Sequence, residues 1–264
     1  MLSNPVVEVS NVTLQYKTPD HLVTATYRIS CNVHKGDRYV ILGPSGCGKS
    51  TLLKAVGGFI RPVTGTISVA GREVSEPGPD RMMVFQEFEQ LMPWKSVLQN
   101  VTFPMLAAGK FSRADAREKA LSAIEKVNLT KFKDVYPHML SGGMKMRVAI
   151  ARALAMEPDV LLMDEPFAAL DALTRRKMQE ELLSLWEQHR FTMLFVTHSI
   201  DEAIVVGSRI LILSPHPGRV RAELDATKLG FADIGTRKFG ELSHRIHGLL
   251  FEDVNSSTTL AASN

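Results

Sequence analysis

The feature that most constrains this chain is the segment GPSGCGKST at residues 43–51, which follows the apolar run RYVIL and precedes a helical pattern. It matches GxxxxGK[ST] between a strand and a helix, where glycines let backbone N–H groups curl around a phosphate. Lys49 is predicted to reach the β- and γ-phosphates, and the Ser50 hydroxyl to hold Mg²⁺. A chance glycine-rich turn is the competing interpretation. The predicted nucleotide contacts are Gly43, Pro44, Ser45, Gly46, Cys47, Gly48, Lys49, Ser50 and Thr51.

A second candidate phosphate-site element is VLLMDE at residues 160–165, an apolar strand that ends in two adjacent carboxylates. Asp164 is predicted to support the Mg²⁺ shell. Glu165, one residue further on, is predicted to face the water that attacks the γ-phosphate. In isolation, a strand that ends in Asp-Glu is usually a solvated strand end, but the glycine-rich segment upstream favours the catalytic interpretation.

Between these elements lies LSGGMKMR, in which Ser141, Gly142 and Gly143 begin an apolar helix. A serine hydroxyl, glycine amides and the helix dipole together make another anion cradle. One nucleotide already held by the first loop does not need a second cradle in the same subunit. The second cradle is therefore predicted to bind a nucleotide held by another copy of the chain. The competing interpretation is an N-cap serine followed by glycines that allow close packing.

The hydrophobic pattern predicts an α/β fold. Two alternating segments, residues 6–16 and 22–33, indicate antiparallel strands of a half-exposed sheet. Short continuous apolar runs alternate with helical patterns in the rest of the chain, which is typical of a parallel sheet covered on both faces. The predicted strands are residues 38–42, 82–85, 160–163, 192–197 and 209–213, and the clearest predicted helices are residues 112–127 and 142–156.

Composition narrows the partners that the chain can have. Lys plus Arg number 31 and Asp plus Glu 28, and no block of like charge stands out, so no nucleic-acid partner is expected. No stretch approaches the roughly 20 apolar residues that a membrane span requires, so any membrane contact is expected to be peripheral. The two cysteines, Cys31 and Cys47, have no metal-type spacing and suit a reducing cytosol as free thiols.

The order of these motifs resembles that of the ABC ATPases. LSGGM is similar to the LSGGQ signature of that family, and it precedes VLLMDEP, AALD and FVTHSIDEA in the family's arrangement. The resemblance covers roughly residues 6–220. It implies a P-loop NTPase fold with a mainly parallel core sheet, an antiparallel β subdomain and an α-helical subdomain. Stretches such as PGPDRMMVFQ, LMPWKSVLQNV and LLMDEPFAALDALTR look like the nitrate, sulfonate, taurine and bicarbonate importer group.

The resemblance also implies a domain organisation for the single ABC ATPase domain of residues 1–264. The nucleotide-binding core with its antiparallel β subdomain is expected at residues 1–87 and 157–220. The helical subdomain that carries the signature is expected at residues 88–156, and a C-terminal extension at residues 221–264.

Further site residues follow from the resemblance, position by position. Tyr16 looks like the aromatic residue that stacks on adenine, although it could equally be the last apolar residue of an alternating strand. Gln86 matches the glutamine that touches Mg²⁺ and water, and His198 matches the switch histidine at the γ-phosphate. Asp171, with Ala169 and Leu170, matches the loop that crosses the dimer seam, although an aspartate there could merely cap the next helix.

The implied function is an ATP-binding and hydrolysing subunit of a bacterial importer for a small solute, on the resemblance a nitrate-, sulfonate- or taurine-type anion. Expected cofactors are ATP and Mg²⁺. Expected partners are a second copy arranged head to tail, a transmembrane permease seated on residues 88–105 around Trp94, and indirectly a solute-binding protein. The expected location is the cytoplasmic face of the cell membrane. Alternatives are an ABC-type ATPase that acts outside transport, a small P-loop kinase, a non-catalytic nucleotide-binding scaffold, and import of another solute such as a pyrimidine precursor.

Overall fold

The computed structural model describes residues 4–17, 21–86 and 90–258, with side chains described as far as Phe251. The elements in chain order are β1 (Val7–Lys17), β2 (Leu22–Val33), β3 (Arg38–Leu42), α1 (Lys49–Val56), β4 (Thr64–Val69), β5 (Arg72–Glu73), β6 (Arg81–Val84), α2 (Val97–Ala107), α3 (Arg113–Lys126), α4 (Gly142–Leu154), β7 (Val160–Asp164), α5 (Ala172–His189), β8 (Met193–Thr197), α6 (Ile200–Val206), β9 (Arg209–Leu213), β10 (Val220–Asp225) and α7 (Arg237–Thr258). The chain divides into two compact units, of which unit 1 joins residues 1–76 to residues 192–264 and unit 2 spans residues 77–191.

An antiparallel sheet in unit 1 has the strand order β2-β1-β4-β5. Its central strand β1 alternates in burial, because the side chains of Val7, Val9, Val12 and Leu14 face the core. The register shifts between Val9 and Val12, and Asn11 there adopts a positive φ of 51°. Such a bulge bends the strand while both faces keep their polarity. The predicted pair of antiparallel strands is therefore confirmed.

A second set of strands in unit 1 centres on β3, which pairs in parallel with β8 on one side and with β9 on the other. Strand β10 adds to β9 in the antiparallel sense. Residues 39–42 of β3 are fully buried, as a continuous apolar strand covered on both faces requires. Helix α1 contacts strands of both unit-1 sheets and buries Leu52, Leu53 and Val56. Each such side chain contributes about 1.5–3 kcal/mol by leaving water.

The described part of unit 2 contains strands β6 and β7 and the α-helices α2, α3, α4 and α5. Strands β6 and β7 pair in parallel, and the helices α2, α3 and α4 pack on one another. Helix α4 also packs against β6. Helix α5 buries a stripe of four apolar side chains: Met178, Leu182, Leu185 and Trp186. Within the described ranges 4–17, 21–86 and 90–258, no helix has both the length and the apolar character needed to cross a bilayer.

Several element bounds agree with the sequence prediction. The predicted strands at residues 22–33, 38–42 and 209–213 correspond to β2, β3 and β9. The predicted helix at residues 112–127 is α3, which Ser112 caps by accepting a hydrogen bond from the Asp115 N–H. The C-terminal extension, for which no structure was predicted, contains β10 and α7, and Leu250 of α7 is buried. The predicted division into core, helical subdomain and extension stays a prediction.

Candidate nucleotide site

The glycine-rich loop leads directly from β3 into α1. Gly46 and Gly48 have φ values of 76° and 94°, a backbone conformation in which a residue with a side chain is strained. Gly48 is the N-cap residue of α1, and no side chain caps this helix end. The first N–H groups of a helix have no partner within the helix, so this end is suited to an anion. The loop conformation therefore fits the predicted phosphate cradle.

The Lys49 side chain is held at the start of this loop. Only 5% of the residue is exposed, and its Nζ donates to the carbonyl oxygens of Gly43 (2.8 Å) and Pro44 (2.9 Å). An ammonium group has three donors, so these two bonds do not exhaust it. The positive charge thus lies within the loop that the sequence assigns to phosphate.

The thiol of Cys47 lies inside the same loop and is fully buried. Burial raises the pKa of this thiol, an effect that the nearby Lys49 ammonium partly opposes. A thiol with a raised pKa stays protonated at neutral pH and is chemically inert. Cys47 therefore serves the loop as a small apolar residue.

His198 lies at the same edge of unit 1 as the glycine-rich loop. In the parallel pair of β3 and β8, Leu42 is opposite Thr197, so the next residues along the chain are Gly43 and His198. His198 is exposed. The turn that carries it is held by the Thr197 hydroxyl, which accepts a hydrogen bond from the Ser199 N–H and donates one to the Glu202 carboxylate. Tertiary structure thus brings together two residues that are more than 150 positions apart in sequence.

Unit 2 has a corresponding edge at the ends of β6 and β7. In this parallel pair Val84 is opposite Met163, so the chain continues with Phe85 and Gln86 on one strand and with Asp164 and Glu165 on the other. Gln86 is exposed, whereas both carboxylate residues are half-buried. The predicted metal-binding and catalytic side chains of this unit are therefore neighbours at one sheet edge.

Glu165 adopts a left-handed backbone conformation with a φ of 44°. This region is unusual for residues other than glycine, asparagine and aspartate, and it costs about 1–3 kcal/mol. Such strain is concentrated at functional sites, where the surrounding structure enforces it. The conformation supports the assignment of Glu165 to the chemistry, and the sequence contained no signal for it.

The loop that follows Glu165 is held by Arg175 of α5. The guanidinium donates from Nε to the Phe167 carbonyl (3.2 Å), and from Nη2 to the carbonyls of Leu170 (2.8 Å) and Ala168 (3.4 Å). Asp171 is the N-cap of α5, and its Oδ1 accepts from the N–H groups of Leu173 and Thr174. Hydrogen bonds from Thr174, chiefly, lower the pKa of the Asp171 carboxyl. The capping interpretation of Asp171 is confirmed, and its role at a dimer seam stays a prediction.

Ser141 likewise caps the helix that it precedes. Its Oγ accepts from the Met144 N–H at 3.3 Å at the start of α4. A hydroxyl that accepts one hydrogen bond can still donate another, so this cap leaves the predicted phosphate contact open. Gly143 lies against α5, since a Cβ placed there would be 3.2 Å from the Thr174 methyl carbon. Arg147 of α4 also forms an ion pair with Glu181 of α5 at 2.6 Å.

Tyr16 lies near the end of β1, opposite Val23 of β2, and is 49% exposed. An aromatic ring with this exposure offers a face on which a base could stack. It also fits the end of an alternating strand, so both interpretations of Tyr16 stay open.

The residues assigned to Mg²⁺ fit that ion in their chemistry. Mg²⁺ prefers hard oxygen ligands and binds through one or two carboxylates together with substrate phosphates. Asp164 and Gln86 supply a carboxylate and an amide oxygen that follow paired strands of unit 2, and Ser50 supplies a hydroxyl in the first turn of α1. These residues include one carboxylate, that of Asp164, and the predicted base Glu165 is not among them. One carboxylate suits an ion that also keeps phosphate and water ligands.

A glycine-rich loop that leads from a buried parallel strand into a helix N-terminus defines a P-loop nucleotide-binding protein of the α/β class. The ABC transporter family model matches residues 27–168. The chain belongs to the ABC transporter family, and it is an ABC-type ATPase.

Three relatives illustrate where the chain lies within the family. It is 45% identical to the taurine import ATP-binding protein TauB of Rhizobium johnstonii, over 89% of this chain and 93% of that protein. It is 44% identical to the bicarbonate transport ATP-binding protein CmpD of Synechocystis sp., over 79% of this chain and 74% of that protein. It is 43% identical to the nitrate import ATP-binding protein NrtD of Synechococcus elongatus, over 79% of this chain and 76% of that protein.

A solved structure gives a similar result. A dimeric ATP-binding cassette in a post-hydrolysis state, bound to ADP and Pi, matches with a TM-score of 0.72 and 33% identity, over 84% of this chain and 100% of that chain. The predicted fold class is confirmed.

Proposed function

We propose that this chain binds and hydrolyses ATP to energise the import of a small anion through a separate membrane subunit. The observation that carries the proposal is the placement of the motif residues at sheet edges. Gly43 and His198 follow one pair of parallel strands, and Gln86 and Glu165 follow another. In sheets of this class, ligands bind outside the carboxyl ends of the strands.

Each residue has a defined task in the proposed reaction. The amides of residues 43–51 and the Lys49 ammonium bind the phosphates and neutralise charge that develops on them. Glu165 accepts a proton from the attacking water, and His198 contacts the γ-phosphate. A bound Mg²⁺, held by Ser50, Asp164 and Gln86, would neutralise charge on the β- and γ-phosphate oxygens.

The proposed active form is a head-to-tail pair of identical chains. Residues 141–143 form a second helix N-terminus that can face an anion, and one nucleotide needs only the first. In a symmetric pair, this second cradle of one copy serves the nucleotide held by the loop of the other. The solved cassette bound to ADP and Pi is itself dimeric, which supports the arrangement.

The proposed docking site for the membrane subunit lies around Trp94. This side chain is 72% exposed, and the neighbouring helix α2 presents the half-exposed Phe103 and Leu106. Large exposed aromatic groups are typical anchors of an interface. Residues 87–89 lie outside the described residues. Two of them, residues 88 and 89, begin the predicted docking segment 88–105. Docking there would hold the chain at the cytoplasmic face of the membrane.

The proposed cargo is a small anion of the nitrate, sulfonate, taurine or bicarbonate kind. This rests on the relatives, whose names specify taurine, bicarbonate and nitrate. The partner solute-binding protein is the component that would recognise the cargo. Calorimetric titration of that protein with these anions, and with orotate as a pyrimidine-type competitor, tests the assignment. Selective binding of orotate would overturn it.

The variant Glu165→Gln tests the catalytic proposal. The amide preserves the shape of the side chain but cannot accept the proton, so phosphate release should fall by about 10²–10⁴-fold. The variant should still bind ATP, and its ATP-bound dimer should accumulate. Light scattering after gel filtration measures this dimer. Lys49→Ala is the matched control, because it should lose nucleotide binding and form no ATP-dependent dimer. Phosphate release by Glu165→Gln at the parent rate would refute the assignment of the base.

A further inference from the structure

We infer that Gly218, in the connection between β9 and β10, is a positioning residue for the phosphate loop. The inference rests on the proposed assignment of residues 43–51 to phosphate binding. Gly218 has no place in the family motifs of the sequence and touches the loop from behind, through the backbone of Cys47.

The turn that carries Gly218 is closed by its own hydrogen bonds. The Ser214 N–H donates to the Arg219 carbonyl (2.9 Å), and the Arg219 N–H donates to the Ser214 Oγ (3.0 Å). The Ser214 hydroxyl in turn can donate to the carbonyls of Pro215 (3.0 Å) and Pro217 (3.2 Å), both within the turn. These bonds fix residues 214–219 as a compact unit, which therefore acts as one body against its surroundings.

Gly218 then joins this turn to strand β2. Its N–H donates to the Ala25 carbonyl (2.9 Å), and its carbonyl accepts from the Tyr27 N–H (2.9 Å). The Arg219 guanidinium stacks over the Tyr27 ring, 4.4 Å from its centroid. The turn is thus anchored on the strand by two backbone hydrogen bonds and one cation–π contact, which leaves it little freedom to move.

The same stretch of β2 lies against the phosphate loop. A Cβ placed on Gly48 would be 2.7 Å from the Ala25 carbonyl oxygen. A Cβ placed on Gly43, at the loop's other end, would be 3.2 Å from the Cβ of Leu213, the residue that precedes the turn. The loop is therefore backed at both ends by β2 and by the end of β9.

Gly218 occupies the middle of this support. A Cβ placed on it would lie 2.1 Å from the Cys47 carbonyl oxygen, far too close for a carbon and an oxygen that are not bonded to each other. Its φ is not in the left-handed region, so space alone and not backbone strain excludes a side chain. Because the obstructing atom belongs to the backbone, a rotamer change cannot relieve the clash. Either the loop or the anchored turn must move.

Displacement of Cys47 has a direct consequence for phosphate binding. Gly48 and Lys49 follow it in the chain, and the loop amides bind the α- and β-phosphates. Displacements of about 1 Å at such sites cost about 10–100-fold in binding or rate. Since ATP and ADP share these phosphates, both nucleotides should be affected to a similar extent. A general loss of stability would leave the affinity of the folded fraction unchanged.

The experiment measures ATP and ADP dissociation constants by calorimetric titration of the full chain, well below each variant's unfolding midpoint. We expect Gly218→Ala to weaken both nucleotides by about tenfold. Gly230→Ala is the matched control, because a Cβ there meets no atom within 4 Å and its φ is not left-handed, so its affinities should equal those of the parent. Ser214→Ala removes the bonds that the Ser214 hydroxyl makes within the turn, without a clash, and should weaken both nucleotides by about threefold.

Parent-like affinities in both Gly218→Ala and Ser214→Ala, while Lys49→Ala loses binding, would overturn the inference and leave the proposed function standing. If Gly218→Ala does not fold, Ser214→Ala decides alone, and parent-like affinities in that variant would again refute the positioning role. If Lys49→Ala binds both nucleotides like the parent, the phosphate-loop assignment and the inference fail together.

Discussion

Glu165 combines a proposed catalytic task with an unfavourable backbone conformation. Its left-handed φ is one that asparagine adopts with less strain. A glutamate thus occupies a position where asparagine would have less backbone strain. Functional sites often show this loss of stability in return for activity. The strain is a property of one residue and can be tested by changing it alone.

We predict that Glu165→Asn unfolds at the same temperature as the parent or at a higher one, while phosphate release falls by about 10²–10⁴-fold. Relief of the backbone strain explains the first effect, and loss of the base explains the second. Differential scanning calorimetry and a phosphate-release assay measure them. Glu118→Asn, the same change at an exposed position in α3, should lose a few tenths of a kcal/mol through lower helix propensity. A clear drop in the unfolding temperature of Glu165→Asn would contradict the strain.

The two thiols provide a test at the same scale. Burial raises the pKa of Cys31 to about 12 and also raises that of Cys47. Only the thiolate is reactive, so a raised pKa suppresses the reaction at any pH below it. We predict that neither thiol of the native chain reacts with Ellman's reagent at pH 8, and that both react in guanidinium. Rapid labelling of either thiol in the native chain would contradict this prediction.

At the scale of elements, Arg175 shows how one helix shapes a loop that it does not contain. Three carbonyl groups between residues 167 and 170 accept hydrogen bonds from its guanidinium. A planar group with five N–H donors can bond several carbonyls at once, whereas an ammonium group cannot reproduce that geometry. The side chain thus couples the first turn of α5 to the residues just after Glu165.

We predict that Arg175→Met lowers the free energy of unfolding by about 1–3 kcal/mol, because it leaves loop carbonyls without their charged donor. Phosphate release should fall as well, since the loop begins beside Glu165. Arg176→Met is the control, because Arg176 is largely exposed and pairs with Glu180 on its own helix, so its loss should cost at most about 0.5 kcal/mol. Urea denaturation measures both variants. Equal costs would contradict the role of Arg175.

The turn before α2 depends in a similar way on Asn100. This residue is fully buried. Its Oδ1 accepts from the Met92 N–H, and its Nδ2 donates to the carbonyls of Met92, Lys95 and Ser96. The bonds enclose the segment that carries Trp94, so the placement of the proposed docking residue depends on a buried amide.

We predict that Asn100→Ala costs about 2–4 kcal/mol of unfolding free energy, through the unpaired backbone groups that it leaves. It should also abolish stimulation of the ATPase by the membrane subunit. Trp94→Ala should abolish the same stimulation at little cost in stability, because its side chain is mostly in water. Urea denaturation and ATPase assays with and without the reconstituted membrane subunit separate the two effects. Full stimulation of Trp94→Ala would place the docking site elsewhere.

At the scale of the whole molecule, the proposed head-to-tail pair can be tested with mixtures of two variants. Lys49→Ala disables the phosphate loop of one copy, and Ser141→Arg disables the second cradle of another. In a mixed dimer both defects fall in one nucleotide site, and the other site is intact. Two inactive proteins mixed in equal amounts should therefore recover activity. The recovery reaches about a quarter of the parent activity when half of the dimers are mixed, because each mixed dimer has one intact site of two. Absence of any recovery would contradict the shared site.

Sequence alone predicted the chemistry that is local in the chain. The loop at residues 43–51 and the strand ending at Asp164 were found because their residues are contiguous and their spacing reflects backbone geometry. The apolar alternation of β1 and β2 was readable for the same reason. The role of Ser141 as an N-cap was also available, because a cap acts within three residues. Helices α2, α6 and α7 and strand β10 were not predicted.

What only the tertiary structure decided is everything that depends on distant segments. His198 joins the edge that carries Gly43 because β3 and β8 pair in a particular register, which no local pattern specifies. The close approach of Gly218 to Cys47 joins two segments about 170 residues apart, and an isolated glycine before a strand reads only as a turn. The local sequence determines which motifs and secondary-structure elements are available for binding and catalysis. The free energy of packing the chain on itself determines which of them meet.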